Sequence, residues 1–371
     1  MYLQKLWPAA LVLVMLASGC GQSPGGSAGA GKPSGPAGNQ TQTNQTQSGG
    51  SKGNPSQANS TQTTKSGANL SSNSQQSQPV WPVISVKPAA KLPLGLLGNA
   101  LAVNSNGAVF SVGGYTGAQS LQNVYRVTGG VASSALLPVP THDAAAGFIG
   151  SNLYVFGGGQ SASYNTILQI HNNHVAVVGH LARPLSDAAA VPFTVQGKQG
   201  LVLVGGYDGQ IFNQQVQFVT LSQGKLVFTK LFTLPQGVRY PAVTVQDNTL
   251  YIAGGKYVSG QLSQTVYAWS EQDPSVHLVG KFSTAIEKAA LFATPGFIVL
   301  AGGLNTARNP QTAIVAMNVK TGATRILGHL PVSLAYLGYG QAGQTGYLVG
   351  GMKSASETNL SSEIYTVSLS Q

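Results

Sequence analysis

From about residue 80 onward the chain alternates short apolar runs with polar, glycine-rich turns. One pattern recurs six times, an apolar run ending in Gly-Gly. The instances are Val109-Phe110-Ser111-Val112 before Gly113-Gly114, Tyr154-Val155-Phe156 before Gly157-Gly158, and Leu201-Val202-Leu203-Val204 before Gly205-Gly206. Then come Leu250-Tyr251-Ile252-Ala253 before Gly254-Gly255, Ile298-Val299-Leu300-Ala301 before Gly302-Gly303, and Tyr347-Leu348-Val349 before Gly350-Gly351. Successive first glycines lie 44, 48, 49, 48 and 48 residues apart. A run with almost no polar alternation fits a strand covered on both faces. Near-constant spacing over six instances marks a repeat architecture.

Each repeat reads as four strands. The first is rich in small residues, as in Ala144-Ala145-Ala146-Gly147, Ala188-Ala189-Ala190-Val191 and Ala289-Ala290-Leu291. The second is the apolar run, and a polar loop leads to a third, alternating strand such as Val124-Tyr125-Arg126-Val127 or Val266-Tyr267-Ala268-Trp269. A turn follows (Asn172-Asn173, Asp273-Pro274 or Thr321-Gly322), then a fourth strand. Asn and Gly tolerate the positive φ of a tight hairpin. Four-stranded antiparallel units packed face to face make a propeller, with small residues where the innermost strands converge on the axis. Only one strand, Glu363 to Leu369, follows the last Gly-Gly pair, and one extra strand, Val80 to Lys87, precedes the first repeat. Pairing these two completes the sixth blade and hides two raw edges. The expected fold is an all-β, six-bladed propeller with the N-terminal strand closing the last blade.

The period, the apolar-Gly-Gly signature and a later tyrosine (Tyr125, Tyr267, Tyr365) resemble the Kelch repeat over about residues 80–371. The Trp-Asp signature of the shorter WD40 blade does not occur. The resemblance implies a Kelch-like propeller, a fold shared with bacterial periplasmic sialic-acid mutarotases.

The first 78 residues read differently. Leu6 to Ala17 is uncharged and mostly apolar behind Lys5, too short for a stable membrane span. It runs into Leu16-Ala17-Ser18-Gly19-Cys20, which resembles a bacterial lipoprotein signal. The resemblance implies a signal peptide over 1–19 and lipid on the sulfur of Cys20, the only cysteine in the chain. From Gly21 to Gln78 only Lys32, Lys52, Lys65 and Leu70 fall outside Gly, Ser, Thr, Asn, Gln, Pro and Ala. Such a composition cannot offset its ordering entropy, so 20–78 is expected to be a disordered tether. As a coil it would reach roughly 40 Å on average.

Composition narrows the chemistry. Only 8% of the residues are charged and the net charge is +10. Within 79–371 there are 15 basic and 9 acidic residues, too dilute and unclustered for nucleic acid. A single cysteine excludes a disulfide framework, an iron–sulfur cluster and the cysteine–tyrosine copper site of Kelch-type oxidases. No dinucleotide fingerprint, P-loop or nucleophile elbow occurs, and no cofactor or metal is expected. His171-Asn172-Asn173-His174 has metal-ligand spacing but straddles a hairpin turn.

Because charge is scarce, its position carries weight. The loops from strand four of one blade into strand one of the next surround one mouth of the channel. They hold His142, Asp143, Arg183, Asp187, Arg239, Tyr240, Glu287, Lys288 and Tyr336, including three of the nine carboxylates. Asp143, Arg183, Asp187, Arg239, Tyr240, Glu287, Lys288 and Tyr336 are the expected ligand-binding set, since guanidinium forks and hydroxyls suit anionic or sugar-like molecules. The loops after Gly-Gly lie farther out on the same face and carry Tyr115, Tyr164, Tyr207, Phe212 and Tyr257 among amides. The reading is a lipid-anchored, extracytoplasmic, monomeric module on a bacterial cell membrane, touching the membrane through its anchor and binding a protein or carbohydrate of the envelope. The alternative is a sugar mutarotase or epimerase with Glu287, Arg239 and His142 at the channel mouth, since such chemistry needs an acid/base group within reach of one sugar carbon.

Overall fold

The computed structural model describes residues 79–370, and the expected signal peptide, Cys20 and tether lie outside them. Among the described residues the regular elements are all strands. Twenty-four of them form six four-stranded antiparallel sheets. In chain order the blades begin with strands Ala100–Val103, Ala145–Ile149, Ser186–Val195, Ala242–Gln246, Ala290–Thr294 and Gly338–Ala342. Within the first five blades the strands pair in sequence order. The sixth runs Gly338–Ala342, Thr345–Val349, Glu363–Ser370 and then Val83–Lys91 as its outermost strand. The N-terminal strand therefore closes the circle, a few residues later than the apolar run implied. Val83 pairs with Ser370 and Lys91 with Glu363, whose side chains form an ion pair of 2.8 Å.

The unalternated runs are explained by the core. Six apolar clusters fill the six interfaces between successive blades. In the second strand of blade two, Leu153 and Val155 pack toward blade one, while Tyr154 and Phe156 pack toward blade three. In blade three, Leu201 and Leu203 face backward and Val202 and Val204 forward. Both faces are interior, so both must be apolar. Each such side chain contributes about 1.5–3 kcal/mol on full burial. Nearer the axis there is little room. A Cβ on Gly147 would strike the Leu201 side chain, and one on Gly346 would meet the Phe292 ring.

The Gly-Gly pair is the joint between blades. The first glycine of each pair has φ of 59 to 72°. A Cβ there would collide with a backbone carbonyl of the next blade's entry loop: Thr141, Leu185, Val238, Ile286, Leu334 and Leu96 in turn. In five of the pairs the second glycine donates its N–H to that loop, for example Gly255 to Ile286 at 2.8 Å and Gly351 to Leu96 at 2.7 Å. The pairs are needed for close approach as much as for conformation.

One regularity was not visible in the sequence. In every blade the third and fourth strands pair with a register shift, as between Val124 and Tyr125 or between Ile167 and Leu168. A bulge adds local twist, which lets the outermost strand splay as the ring widens. The Asn172-Asn173 turn takes φ of 48 and 68° and joins His171 to His174 across a tight hairpin at the outer rim.

Replacing Gly254 by Ala should cost about 2 kcal/mol or more, from the left-handed backbone plus the Ile286 carbonyl at 2.5 Å from the new Cβ. Gly129→Ala, with equally positive φ but open space around it, should cost only about 1 kcal/mol. Denaturant midpoints of the two variants check the difference, and equal losses would mean that the pair is not a packing joint.

Candidate functional site

The six entry loops share one position. Gly98, Asp143, Asp187, Tyr240, Lys288 and Tyr336 each stand at the entry to an innermost strand, and each has φ between 53 and 61°. They link one blade to the next by backbone hydrogen bonds around the channel mouth. Asp143 N–H donates to Gly98 C=O at 2.7 Å, Asp187 to Asp143 at 2.9 Å, Tyr240 to Asp187 at 2.9 Å, Tyr336 to Lys288 at 2.9 Å, and Gly98 to Tyr336 at 2.9 Å. Five of the six steps are bonded in this way. Five of the six residues are not glycine, and a left-handed conformation costs a side-chain-bearing residue roughly 1–2 kcal/mol. Strain repeated five times around one opening marks a place held in shape for a purpose. All six line a central cavity of about 110 Å³.

Just outside this circle a second one repeats. Leu97, His142, Ser186, Arg239, Glu287 and Ala335 bridge to the residue after each Gly-Gly pair, namely Tyr115, Gly159, Tyr207, Lys256, Leu304 and Met352. The entry loops and the loops after Gly-Gly therefore share one face, as expected.

The side chains of the inner circle form a connected network. Arg239 Nη2 pairs with Asp187 Oδ2 at 2.6 Å and donates to Tyr240 Oη at 3.0 Å. Tyr240 and Tyr336 hydroxyls are 3.2 Å apart, and Tyr336 donates to Asp143 Oδ2. Ser186 Oγ donates to Asp187 Oδ2 at 3.0 Å. The Arg239 guanidinium also lies over the rings of Tyr207, Tyr240 and Phe212 at 4.5, 5.0 and 5.4 Å. Tyr207 and Phe212, carried by the loop after the third Gly-Gly pair, form the seat of Arg239. Burial, and then the neighbouring Asp187 carboxylate, push the Asp143 carboxyl well above the usual carboxylate range. Burial likewise drives the Tyr336 and Tyr240 hydroxyls upward, so both stay protonated donors. Burial pulls the Lys288 amine down, against the opposing charges of Asp143, Glu287, Asp187 and Glu357.

The channel does not run through. Tyr339 reaches across the axis from blade six to blade four, where its hydroxyl accepts from Val243 N–H at 2.7 Å and donates to Val243 C=O at 3.3 Å. It lines the mouth cavity on one side and a mostly apolar cavity of about 260 Å³ toward the other face. Beside the mouth, a polar groove of about 570 Å³ is lined by Tyr115, Gln119, Ser120, His142, Gln160 and Glu357, and it meets the mouth at Tyr336. His142 Nδ1 bonds Ser120 Oγ at 2.8 Å, and its ring lies 5.4 Å from that of Tyr115. Its Nε2 is 3.8 Å from Asp143 Oδ2. Burial lowers its pKa, which keeps the imidazole neutral at neutral pH.

Of the expected ligand-binding residues, Asp143, Asp187, Tyr240, Lys288 and Tyr336 come together in the mouth, with Arg239 behind them. Two are placed elsewhere. Arg183 lies exposed at the rim and pairs with Asp208 at 2.8 Å. Burial works to raise Asp208, but the N–H groups of Ile211 and Gln210 and the Arg183 guanidinium hold it below the usual carboxylate range. Glu287 is 4% exposed, its Oε2 has no hydrogen-bond partner, and it lines neither the mouth nor the groove. Glu287, Arg239 and His142 thus do not converge on one cavity. Sequence reasoning missed Tyr339, Gln160 and Glu357. Tyr339 carried a signal, a large aromatic three residues after Tyr336 where the other innermost strands hold Leu101, Ala146, Ala190, Val243 and Leu291. Gln160 and Glu357 carried none. Among the described residues no group of three or more metal-ligating side chains occurs.

No known family model matches the chain, and no curated protein is detectably similar in sequence. Among solved structures, one titled "Structure of YjhT" superposes with a TM-score of 0.62 at 14% identity, covering 76% of this chain and 99% of that one. At that identity the likeness concerns the fold alone.

Asp143 binds its proton more tightly folded than unfolded. Its contribution to stability is therefore full below its ordinary value of 3.8 and is lost as pH rises through the elevated folded value. Asp143→Asn, neutral throughout, should gain stability over the native protein between pH 4 and pH 8, by about 1.4 kcal/mol for each pKa unit of elevation. Denaturant unfolding of both proteins at the two pH values checks the sign, and a gain equal at both would contradict it.

Proposed function

We propose that this protein is a Kelch-like binding module that takes a carbohydrate-type ligand at the loop-face mouth and the adjoining groove, carried on a lipid anchor outside the bacterial cell membrane. The observation that supports this reading is the junction of two cavities. A small, preorganised hydrogen-bonding mouth opens beside a groove of about 570 Å³ rich in amides and hydroxyls, with an aromatic ring available for stacking. That size lies within the range of small-molecule sites. Tyr115 offers apolar area to a sugar face, and Gln119 and Gln160 offer direction. Low charge density also favours a neutral polyhydroxyl ligand over a polyanion.

A second reading, sugar mutarotase or epimerase chemistry, draws on one feature. A carboxyl with a raised pKa (Asp143) lies 3.8 Å from an imidazole whose pKa is lowered (His142), an acid and a base side by side at the point where groove and mouth meet. In this form of the reading Asp143 takes the place of Glu287.

Glycan-array screening of the full chain, followed by calorimetric titration of the best hit, tests the binding reading. Tyr115→Ala should weaken that hit about tenfold, the equivalent of about 1.4 kcal/mol. Sugar-anomer exchange followed by NMR tests the second. Exchange accelerated by catalytic amounts of protein and abolished in His142→Ala would replace binding by catalysis, and no interaction with any glycan would sink both.

A further inference from the structure

Lys288 differs from its neighbours in the mouth. Asp143, Asp187, Arg239, Tyr240 and Tyr336 satisfy one another through the network described above. Among the described residues the Lys288 ammonium donates no hydrogen bond and forms no ion pair with a carboxylate. Its Nζ contacts are the faces of Tyr336 at 3.5 Å and Tyr240 at 4.4 Å, and it lines the cavity. Ring faces compensate an ammonium for lost hydration less completely than a hydrogen-bond acceptor would. The neutral amine is thereby favoured relative to a lysine in water, in agreement with the downward effect of burial on this group. A lysine whose pKa is lowered, lining a small cavity with a carboxyl on the same wall, has the surroundings of an amine nucleophile.

We propose that Lys288 is a carbonyl-reactive site, forming a Schiff base with a small aldehyde or ketone that enters the mouth from the groove. This goes beyond reversible binding, and it does not require the ligand to be a sugar. The Nζ lone pair forms the N–C bond while the carbonyl oxygen takes up a proton, giving a carbinolamine. That oxygen then leaves as water, carrying the two protons that the amine gives up, and the product is the imine. Asp143 is placed to pass a proton to the departing oxygen and recover one from nitrogen. No oxidant or reductant enters the step. A cavity of about 110 Å³ limits the reacting end to a fragment of two or three carbons.

The test uses the full chain with glycolaldehyde as probe at pH 7, and cyanoborohydride to reduce any imine to a stable secondary amine. Peptide mass spectrometry then reads the initial labelling rate at each lysine. Lys288 should be alkylated several-fold faster than the exposed Lys225, Lys230 and Lys353, because it faces a cavity that can hold the carbonyl beside a carboxyl on the same wall. Asp143→Asn should slow Lys288 without changing the exposed sites. Labelling of Lys288 in the native protein at or below the exposed rate would overturn the proposal, with no dependence on whether a variant folds. Glycan titration of the native protein, run beside the labelling, separates the two ideas: sugar affinity without preferential labelling of Lys288 overturns the Schiff base and leaves the binding reading standing, and preferential labelling without sugar affinity does the reverse.

Discussion

A ring of sheets must close, and the backbone hydrogen bonds around the mouth are where closure is enforced. Six residues in the left-handed conformation hand an N–H to the preceding blade in five of six steps. The pattern demands equal blades, since an entry loop of the wrong length would pull its residue out of the circle. It also demands that the last blade be complete, a requirement met by the strand Val83–Lys91. The Gly-Gly joints follow from the same geometry. Blades brought close enough to bond at the mouth leave no space for a Cβ beside the next entry carbonyl.

Because the inner circle is fixed by main-chain bonds, its side chains are delivered to the cavity wherever the sequence allows chemistry. Blades two to six contribute Asp, Asp, Tyr, Lys and Tyr, and blade one contributes only Gly98. In water these groups would interact weakly. Crowded into a desolvated mouth, two carboxyl groups, a guanidinium and two phenols settle into one network in which the Asp143 carboxyl is pushed well above its usual range. The cost of strain and desolvation there is offset by the six apolar interfaces, each built from strands buried on both faces.

The ring is regular in backbone and irregular in function. The polar groove belongs to loops of blades one, two and six, whereas on blade three Tyr207 and Phe212 hold Arg239 in place. Tyr339 breaks the pseudo-symmetry more sharply by crossing the axis and ending the mouth as a blind cavity. A blind polar cavity beside a wider groove suits a small ligand better than a conduit.

The six Gly-Gly runs, their spacing and the unpaired strand at each end determined the blade number and the closure, because period and strand count are local properties of the chain. The same spacing located Asp143, Asp187, Tyr240, Lys288 and Tyr336, since residues at one point of a repeat must share one radius in the ring. Which way a side chain turns from that point was settled only in three dimensions. Arg183 and Glu287 belong to the same loops yet leave the mouth, one drawn outward by Asp208 and the other buried outside both cavities. Tyr339 and the raised Asp143 carboxyl depend on partners 96 and 193 residues distant, and contacts at that range leave no periodic trace in a single sequence.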